Sequence, residues 1–140
     1  MPIRIESRAR ARALQAIYAW DMRGERGGDL ERVSAQIWDD LLVGPEERRF
    51  ASPLLRTLHD DGKALDRDLA EVTTNWRLER LGAIDRSVLR LAAAELSRGE
   101  TPPRVVIREA IRLAERYGNR DSARFVNGVL DALARKMGRL

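Results

Sequence analysis

Arginines are concentrated at the start of the chain. Arg4, Arg8, Arg10 and Arg12 bring four positive charges close together, against the single negative charge of Glu6. An arginine side chain donates hydrogen bonds from a planar fork that fits a phosphate group, so such a cluster can bind a polyanion. The first chemistry that the sequence indicates is therefore phosphate binding.

One face of the predicted first helix combines cations with an amide and an aromatic ring. At about 3.6 residues per turn, Arg8, Arg12 and Gln15 share a face, and Tyr18 lies between that face and the apolar stripe that contains Leu14. Single-stranded RNA requires cations for its backbone, a ring for stacking and an amide for a base edge. The alternative is a solvated arginine face with Tyr18 as an ordinary half-buried core residue, and the pattern alone leaves both open.

A second candidate face lies near the C-terminus. Asp121, Arg124, Phe125 and Gly128 follow one another at helical spacings and share a face. The main role predicted for Asp121 is to cap the N-terminus of the helix. Phe125 lies at the edge of the apolar stripe, where it could stack on a base or simply seal the core. Gly128 inside a helix predicts the close approach of another helix or of a ligand.

Catalytic chemistry has little support in the sequence. The chain has no cysteine, which excludes thiolate metal sites, and we interpret the single histidine, His59, as a surface residue. The acidic pairs Asp39-Asp40 and Asp60-Asp61 are adjacent, so their members do not face each other on a helix. The motifs of phosphate-binding loops and zinc proteases are missing. We expect no enzyme activity, no metal site and no cofactor.

The candidate faces have to be positioned by helices. Apolar residues recur at spacings of three and four, with no sustained period of two, so the predicted fold class is all-α. The pattern predicts helices over residues 6–22, 30–42, 84–96 and 103–117, and a last helix that begins near position 121. Between positions 45 and 72, Pro53 predicts a kink or a late helix start. Breaks are expected at Gly24, Gly27 and Gly28 and at Asn75-Trp76.

Length and charge fit a single polyanion-binding domain. The chain has 140 residues, which suits one domain, residues 1–140, and its formal net charge is +4. It has neither an apolar run long enough to span a membrane nor a pattern typical of a secretory signal. We therefore expect a cytoplasmic protein.

Several segments taken together resemble the NusB family over almost the whole chain. They are RARARALQAIY at residues 8–18, IDRSVLRLA at 84–92 leading to Glu95 and Leu96, IREAIRLA at 107–114, and FVNGVL at 125–130. Each segment is only moderately specific. Their order and spacing together distinguish this chain from an arbitrary helical protein.

The resemblance implies an all-α fold of about seven helices in two small packed bundles, residues 1–78 and 79–140, without catalytic activity. It implies a transcription antitermination factor that pairs with NusE, a ribosomal protein of the small subunit, and binds boxA RNA of rRNA leader transcripts. Other Nus factors and RNA polymerase would complete a complex that reads through terminators.

The resemblance also assigns residues to two surfaces. Ser7 stands where the family usually has a basic residue, so Arg12 or Arg4 is expected to compensate. Glu79 and Asp85 are expected to pair with basic residues of NusE. The implied RNA surface consists of residues from the first and last helices: Arg8, Arg10, Arg12, Gln15, Tyr18, Asp121, Arg124 and Phe125.

A second interpretation stays open beside the RNA-binding one. An all-helical chain with exposed charged faces could also be a protein-binding scaffold or a homodimer that does not recognise RNA directly. The oligomeric state with and without RNA separates the two interpretations.

Overall fold

The computed structural model describes residues 4–24, 28–73 and 77–140, and within these ranges it contains helices and no strand. None of these helices is both long and apolar enough to cross a membrane. The all-α prediction is confirmed, while the predicted breaks at Gly27 and Asn75-Trp76 lie outside the described residues. The elements are α1 (Ile5–Arg23), α2 (Leu30–Asp40), α3 (Pro45–Val72), a 3₁₀ helix (Leu78–Arg80), α4 (Ala83–Arg98), α5 (Pro103–Tyr117) and α6 (Ser122–Lys136).

Local sequence signals account for several helix ends. The Asp29 carboxylate accepts a hydrogen bond of 2.8 Å from a backbone amide in the first turn of α2 and so caps that helix. Pro45 begins α3, where its missing N–H has no intrahelical partner to lose, and Glu46 and Glu47 follow near the positive end of the helix dipole. Gly99 ends α4 in the left-handed conformation, with φ of 69°.

α3 is one helix of 28 residues that passes through Pro53. Of the two alternatives predicted at this proline, the late start is therefore wrong, and the kink stays a prediction. Proline removes one hydrogen bond from a helix interior, but Leu54, Leu55 and Leu58 just after it are buried in the core. Tertiary packing outweighs the local penalty because most helical stability in a protein comes from the buried face.

α4 is the central helix of the fold. It contacts α1, α3, α5 and α6, and nearly all of its side chains between positions 87 and 96 are buried. A helix that other helices cover on several sides is typical of a core position, and Arg86, Arg90 and Glu95 of α4 are paired with partners from those helices. Because α4 contacts helices from both halves of the chain, the division into sub-bundles 1–78 and 79–140 stays a prediction.

A partly buried ion-pair network joins the end of α1 to the start of α4. The Asp21 carboxylate accepts hydrogen bonds from Arg86 at 2.5 Å and from Arg90 at 3.0 Å, and Arg90 continues to Asp66 of α3. Burial by itself raises the pKa of Asp21, but the hydrogen bonds and charges of the two arginines outweigh it and hold the pKa below its ordinary value. The network therefore fixes α1, α3 and α4 relative to one another.

Candidate nucleic-acid interface

The outward face of α1 carries two arginines that share one carboxylate. The Arg8 side chain is 54% exposed, with its Nε 3.7 Å from Glu47 of α3, and the Nε of Arg12 lies 4.0 Å from the same oxygen. Arg12 also donates a hydrogen bond of 3.3 Å to the Gln15 Oε1. Two guanidinium groups face one carboxylate, so one positive charge on this face remains for a phosphate group.

Trp38 of α2 supports this face from below. Its indole N–H donates a hydrogen bond of 3.1 Å to the backbone carbonyl of Arg12, and its side chain is buried. A buried indole N–H needs such a partner. The backbone at Arg12 is therefore held independently of the arginine side chain.

Tyr18 lies on the same helix, towards the end that approaches α4. Its ring is 37% exposed. Asp21, less than one turn further along α1, is bound to Arg86 in the first turns of α4. The ring thus has both a packed side and a solvent side, and its stacking on a base stays a prediction.

Arg10 lies on the opposite side of α1 and is buried. Its guanidinium donates to both carboxylate oxygens of Glu95, at 2.9 and 2.7 Å, and lies 3.4 Å from Glu109. It also lies over the Phe50 ring, 4.9 Å from the centroid. The RNA contact expected of Arg10 is therefore wrong, because its side chain is only 5% exposed and is bound to other residues in the protein interior.

The start of α6 is capped by other residues than predicted. Asp121 occupies the N-cap position, but its carboxylate makes no capping hydrogen bond. Instead the Asn119 Oδ1 accepts a hydrogen bond of 2.9 Å from the backbone amide of Asp121, and the Ser122 hydroxyl accepts one of 3.0 Å from that of Asn119. A side-chain turn of this kind is typical of asparagine. The capping role predicted for Asp121 is wrong, and its carboxylate is exposed to solvent.

Arg124, Phe125 and Gly128 lie on the first two turns of α6. Phe125 is half-buried against the core, whereas Arg124 is exposed. Apart from its own helix, no atom of the described chain lies within 4 Å of where a Cβ at Gly128 would be. The close helix expected at this glycine is therefore wrong, and the approach of a ligand to its open surface stays a prediction.

A hollow of about 280 Å³ separates the start of α4 from the start of α6. Asp121 and Phe125 line it from α6, and Asp85 lines it from the first turn of α4. We call it the α4–α6 hollow. In this hollow Asp85, which is expected to contact the protein partner, lies near Asp121 and Phe125, which are expected to contact RNA.

Glu79, the other residue expected to contact a partner, lies in a different place. It is exposed on the 3₁₀ helix and lines a second hollow, of about 480 Å³, together with Asp21, Arg86 and Arg90. Glu79 and Asp85 therefore lie in two hollows that flank the segment of residues 78–82. A partner that contacts both has to cover that segment.

Arg86 holds the segment between the two hollows, a role that was not predicted from the sequence. Its guanidinium donates to the backbone carbonyls of Leu78 and Leu81, at 3.3 and 2.8 Å, as well as to Asp21. The available signal was an arginine in a strongly apolar stretch of α4, since charged residues in such places are usually paired. Arg86 thus positions the expected partner surface.

His59 and the two acidic pairs lie on the surface of the protein. His59, Asp39, Asp40, Asp60 and Asp61 are all exposed, and the surface interpretation of His59 is confirmed. Among the described residues, no cluster of three or more histidines and acids could hold a metal ion.

Comparisons with known proteins agree with this geometry. Residues 7–135 match the sequence model of the NusB family. The transcription antitermination protein NusB of Sorangium cellulosum (strain So ce56) is 42% identical over 135 residues, which cover 96% of this chain and 94% of that protein. The structure of T. maritima NusB matches with a TM-score of 0.86 at 33% identity, over 97% of this chain and 94% of that one. A chain in the crystal structure of the antitermination factors NusB and NusE in complex with dsRNA matches with a TM-score of 0.84 at 26% identity, over 96% and 99%. This chain therefore belongs to the NusB family.

Proposed function

We propose that the protein is a transcription antitermination factor that binds RNA together with the ribosomal protein NusE. The observation that carries the proposal is the similarity over almost the whole chain to a chain from a complex of NusB, NusE and RNA. That similarity includes both helices that bear candidate RNA residues. The RNA is the boxA element of rRNA leader transcripts. Other Nus factors and RNA polymerase complete the complex, which reads through terminators in the cytoplasm.

The outward face of α1 binds the RNA backbone. Arg8 and Arg12 contact phosphate groups, and Glu47, which lies within 4.0 Å of both, keeps their side chains near the surface. Gln15, held by Arg12 at 3.3 Å, offers its amide to a base edge. Arg10 supports this face from inside without touching the RNA.

The start of α6 supplies the second part of the RNA surface. The half-buried Phe125 ring stacks on a base, as does the partly exposed Tyr18 ring of α1. Arg124 contacts a phosphate group. Asp121 lies at the border of the surface, where its negative charge limits how closely a phosphate group approaches.

NusE binds beside the RNA and neutralises acids at the border. Asp85 and Asp121 line the same hollow, and Glu79 lies on the adjoining segment. A basic NusE side chain near these carboxylates removes charge that repels the RNA. NusE therefore raises the affinity for RNA even where it makes no base contact.

The bound RNA is single-stranded at the recognised element. Partly exposed aromatic rings and an amide suit unpaired bases, because a base can stack on a ring only when it is not stacked within a double helix. The related NusB–NusE complex contains double-stranded RNA, so the strandedness of the RNA has to be part of any test.

A second candidate function is a protein-binding scaffold or homodimer. The observation that favours it is an exposed apolar pair at the end of α2, where Leu41 is 47% and Leu42 is 87% exposed. Analytical ultracentrifugation tests this candidate. A stable dimer whose sedimentation does not change with RNA would replace the RNA-binding function.

The proposed function is tested by fluorescence anisotropy with a labelled boxA-like RNA and a scrambled RNA of equal length. Each is measured in single-stranded and duplex form, with and without purified NusE. The expected result is that the single-stranded boxA-like RNA binds most tightly and that NusE strengthens its binding. Equal affinity for both sequences would contradict the proposal.

Asp85→Asn separates the role of the partner from that of the RNA. The substitution should reduce the gain in affinity that NusE gives, while binding of RNA to the protein alone stays unchanged or becomes slightly tighter. Asp61→Asn, which removes the same charge from an exposed position of α3, is the matched control and should leave both values unchanged.

A further inference from the structure

α5 presents an exposed arginine at every fourth position. These residues are Arg104, Arg108, Arg112 and Arg116. Four residues advance an α-helix by about 6 Å and rotate it by about 40°. The side chains therefore form a row about 18 Å long that winds slowly around the outside of α5. We call it the α5 arginine row.

The first three arginines of the row also line a groove between α5 and α6. The groove has a volume of about 440 Å³, and Arg135 of α6 adds a fourth guanidinium group to its lining. Two lining residues, Glu115 and Asp131, are acidic. Four positive charges against two negative ones leave the groove basic, which favours an anionic occupant.

The cations of the row are available to a ligand. In the part of the chain that the structure describes, Arg104 and Arg108 have no carboxylate within 4.0 Å. Arg112 lies 3.8 Å from Glu109, but its side chain is 66% exposed and Glu109 is also paired with Arg10. An exposed ion pair of this kind contributes little free energy, so Arg112 can exchange it for a phosphate group.

The row is continuous with the candidate RNA surface. Its last member, Arg116, lies over the ring of the neighbouring Tyr117, 5.3 Å from the centroid, and that ring is 37% exposed. Only Gly118 separates Tyr117 from Asn119, which lines the α4–α6 hollow beside Phe125. A strand of RNA that stacks on Phe125 thus has the end of the arginine row next to it.

We propose that the α5 arginine row binds the phosphate backbone of RNA that flanks the recognised element. The flanking nucleotides leave the start of α6, pass Arg116 and follow α5 towards Arg104. Arginine side chains that contact only phosphate groups carry no sequence information. The row therefore adds affinity for any flank of sufficient length. This inference rests on the proposed function, which brings the RNA to α6.

The shape of the row favours RNA over an acidic helix. A helix docked in the α5–α6 groove would contact Arg104, Arg108 and Arg112 but not Arg116, which does not line the groove. A flexible polyanion can follow all four arginines as the row winds around α5.

The inference is tested with two RNAs that share the boxA-like core, one of which carries flanks about eight nucleotides longer, enough to follow the row. Both are measured with NusE present, for the wild-type protein and for the double variant Arg104→Gln, Arg108→Gln. The variant should bind the long RNA about 5- to 10-fold more weakly and the core RNA equally well. The log–log salt slope for the long RNA should become shallower by about 1.4.

A double variant on another side of the protein controls for net charge. Arg32→Gln, Arg56→Gln removes two exposed arginines from α2 and α3 and should change neither RNA's affinity. Scrambling the sequence of the flanks should also have no effect, because the row reads only the backbone.

Three results would overturn the inference. The first is wild-type protein that binds the long RNA no more tightly than the core RNA. The second is a row variant that loses the same factor, or nothing, with both RNAs. The third is that a polyglutamate peptide binds the wild-type protein but not the row variant, while both proteins bind the long RNA with equal affinity. Failure of wild-type protein to bind the core RNA at all would instead overturn the proposed function, and the inference with it, before any variant is made.

Discussion

Arg8, Arg10 and Arg12 are separated by single residues, yet they have opposite surroundings. Arg10 is 5% exposed and is bound by two glutamates from α4 and α5, whereas Arg8 and Arg12 point outward and share Glu47. A step of two residues turns a helix by about 200°. One short basic segment thus contains an arginine that holds the fold and two that can bind RNA.

The buried side of α1 is a closed network, and the outward side is not. The Ser7 hydroxyl donates to Glu109, which Arg10 also approaches, and both charged groups of the Arg10–Glu95 pair are almost fully buried. Buried charges are stable only when they are paired, because their desolvation is costly. The function of each arginine is therefore determined by the face it occupies and not by the composition of the segment.

The largest expected effect comes from breaking the buried network. Arg10→Met should lower the free energy of unfolding by about 3–5 kcal/mol, because it leaves Glu95 buried without its partner. Urea denaturation followed by circular dichroism measures this loss. Arg8→Met, on the outward face, is the control and should change the free energy of unfolding by less than about 0.5 kcal/mol. Equal midpoints for the two variants would contradict the division of roles.

The two phenylalanines of the chain extend the comparison to aromatic rings. Phe125→Leu should reduce the affinity for boxA-like RNA about 10-fold, because a stacked base is worth about 1–3 kcal/mol. Fluorescence anisotropy titration measures this loss of RNA affinity. Phe50→Leu, at the edge of the core beside Arg10, should leave RNA affinity unchanged and lower only stability. An unchanged affinity for Phe125→Leu would return this residue to a purely structural role.

Gly128 tests whether the open surface of α6 is a binding surface. Gly128→Ala should raise the free energy of unfolding by about 1 kcal/mol, because alanine favours the helix and the added methyl group meets no neighbour. If RNA approaches here, the same methyl group should weaken its binding. A variant that is more stable and binds RNA as well as the wild type would exclude Gly128 from the RNA surface.

The smallest expected effect is a dependence of stability on pH. The folded-state pKa of Asp21 is below its ordinary value. As the pH falls, the Asp21 carboxylate is therefore protonated in the unfolded chain before it is protonated in the folded one. The stabilisation that this carboxylate gives at neutral pH is lost as the pH falls below about 4. Asp21→Asn should be less stable than the wild type at pH 7, and the difference should shrink as the pH falls below 4. A constant difference over this range would show that the Asp21 charge does not contribute.

The periodicity of apolar residues predicted the helices well. Their boundaries agree to within a few residues because caps and glycines such as Asp29 and Gly99 are local signals. The late helix start, one of the two alternatives predicted at Pro53, is wrong because the local penalty of proline is visible in the sequence and the packing that overrides it is not. The same holds for Asp121, whose capping role was taken over by Asn119, two residues earlier.

The candidate site could be predicted only in part, because burial depends on residues distant in sequence. Glu95 and Glu109 lie 85 and 99 positions after Arg10, so nothing near Arg10 reveals that it is buried. The role of Arg86 was missed in part for the same reason, because its carboxylate partner Asp21 lies 65 positions before it. By contrast, the fourfold spacing of the α5 arginine row is local and could have been found from the sequence. Its continuity with the start of α6 required the structure.

The division of roles along α1 is tested most directly by comparing the RNA binding of two variants. One is the double variant Arg8→Gln, Arg12→Gln, and the other is Arg10→Gln. Each is measured with NusE present and at a temperature where both variants are folded. The account predicts that the outward variant loses about 10-fold in affinity for boxA-like RNA and has a shallower salt slope, while Arg10→Gln is destabilised yet binds with nearly wild-type affinity. An Arg10→Gln variant that is folded but loses as much affinity and salt dependence as the outward variant would contradict it.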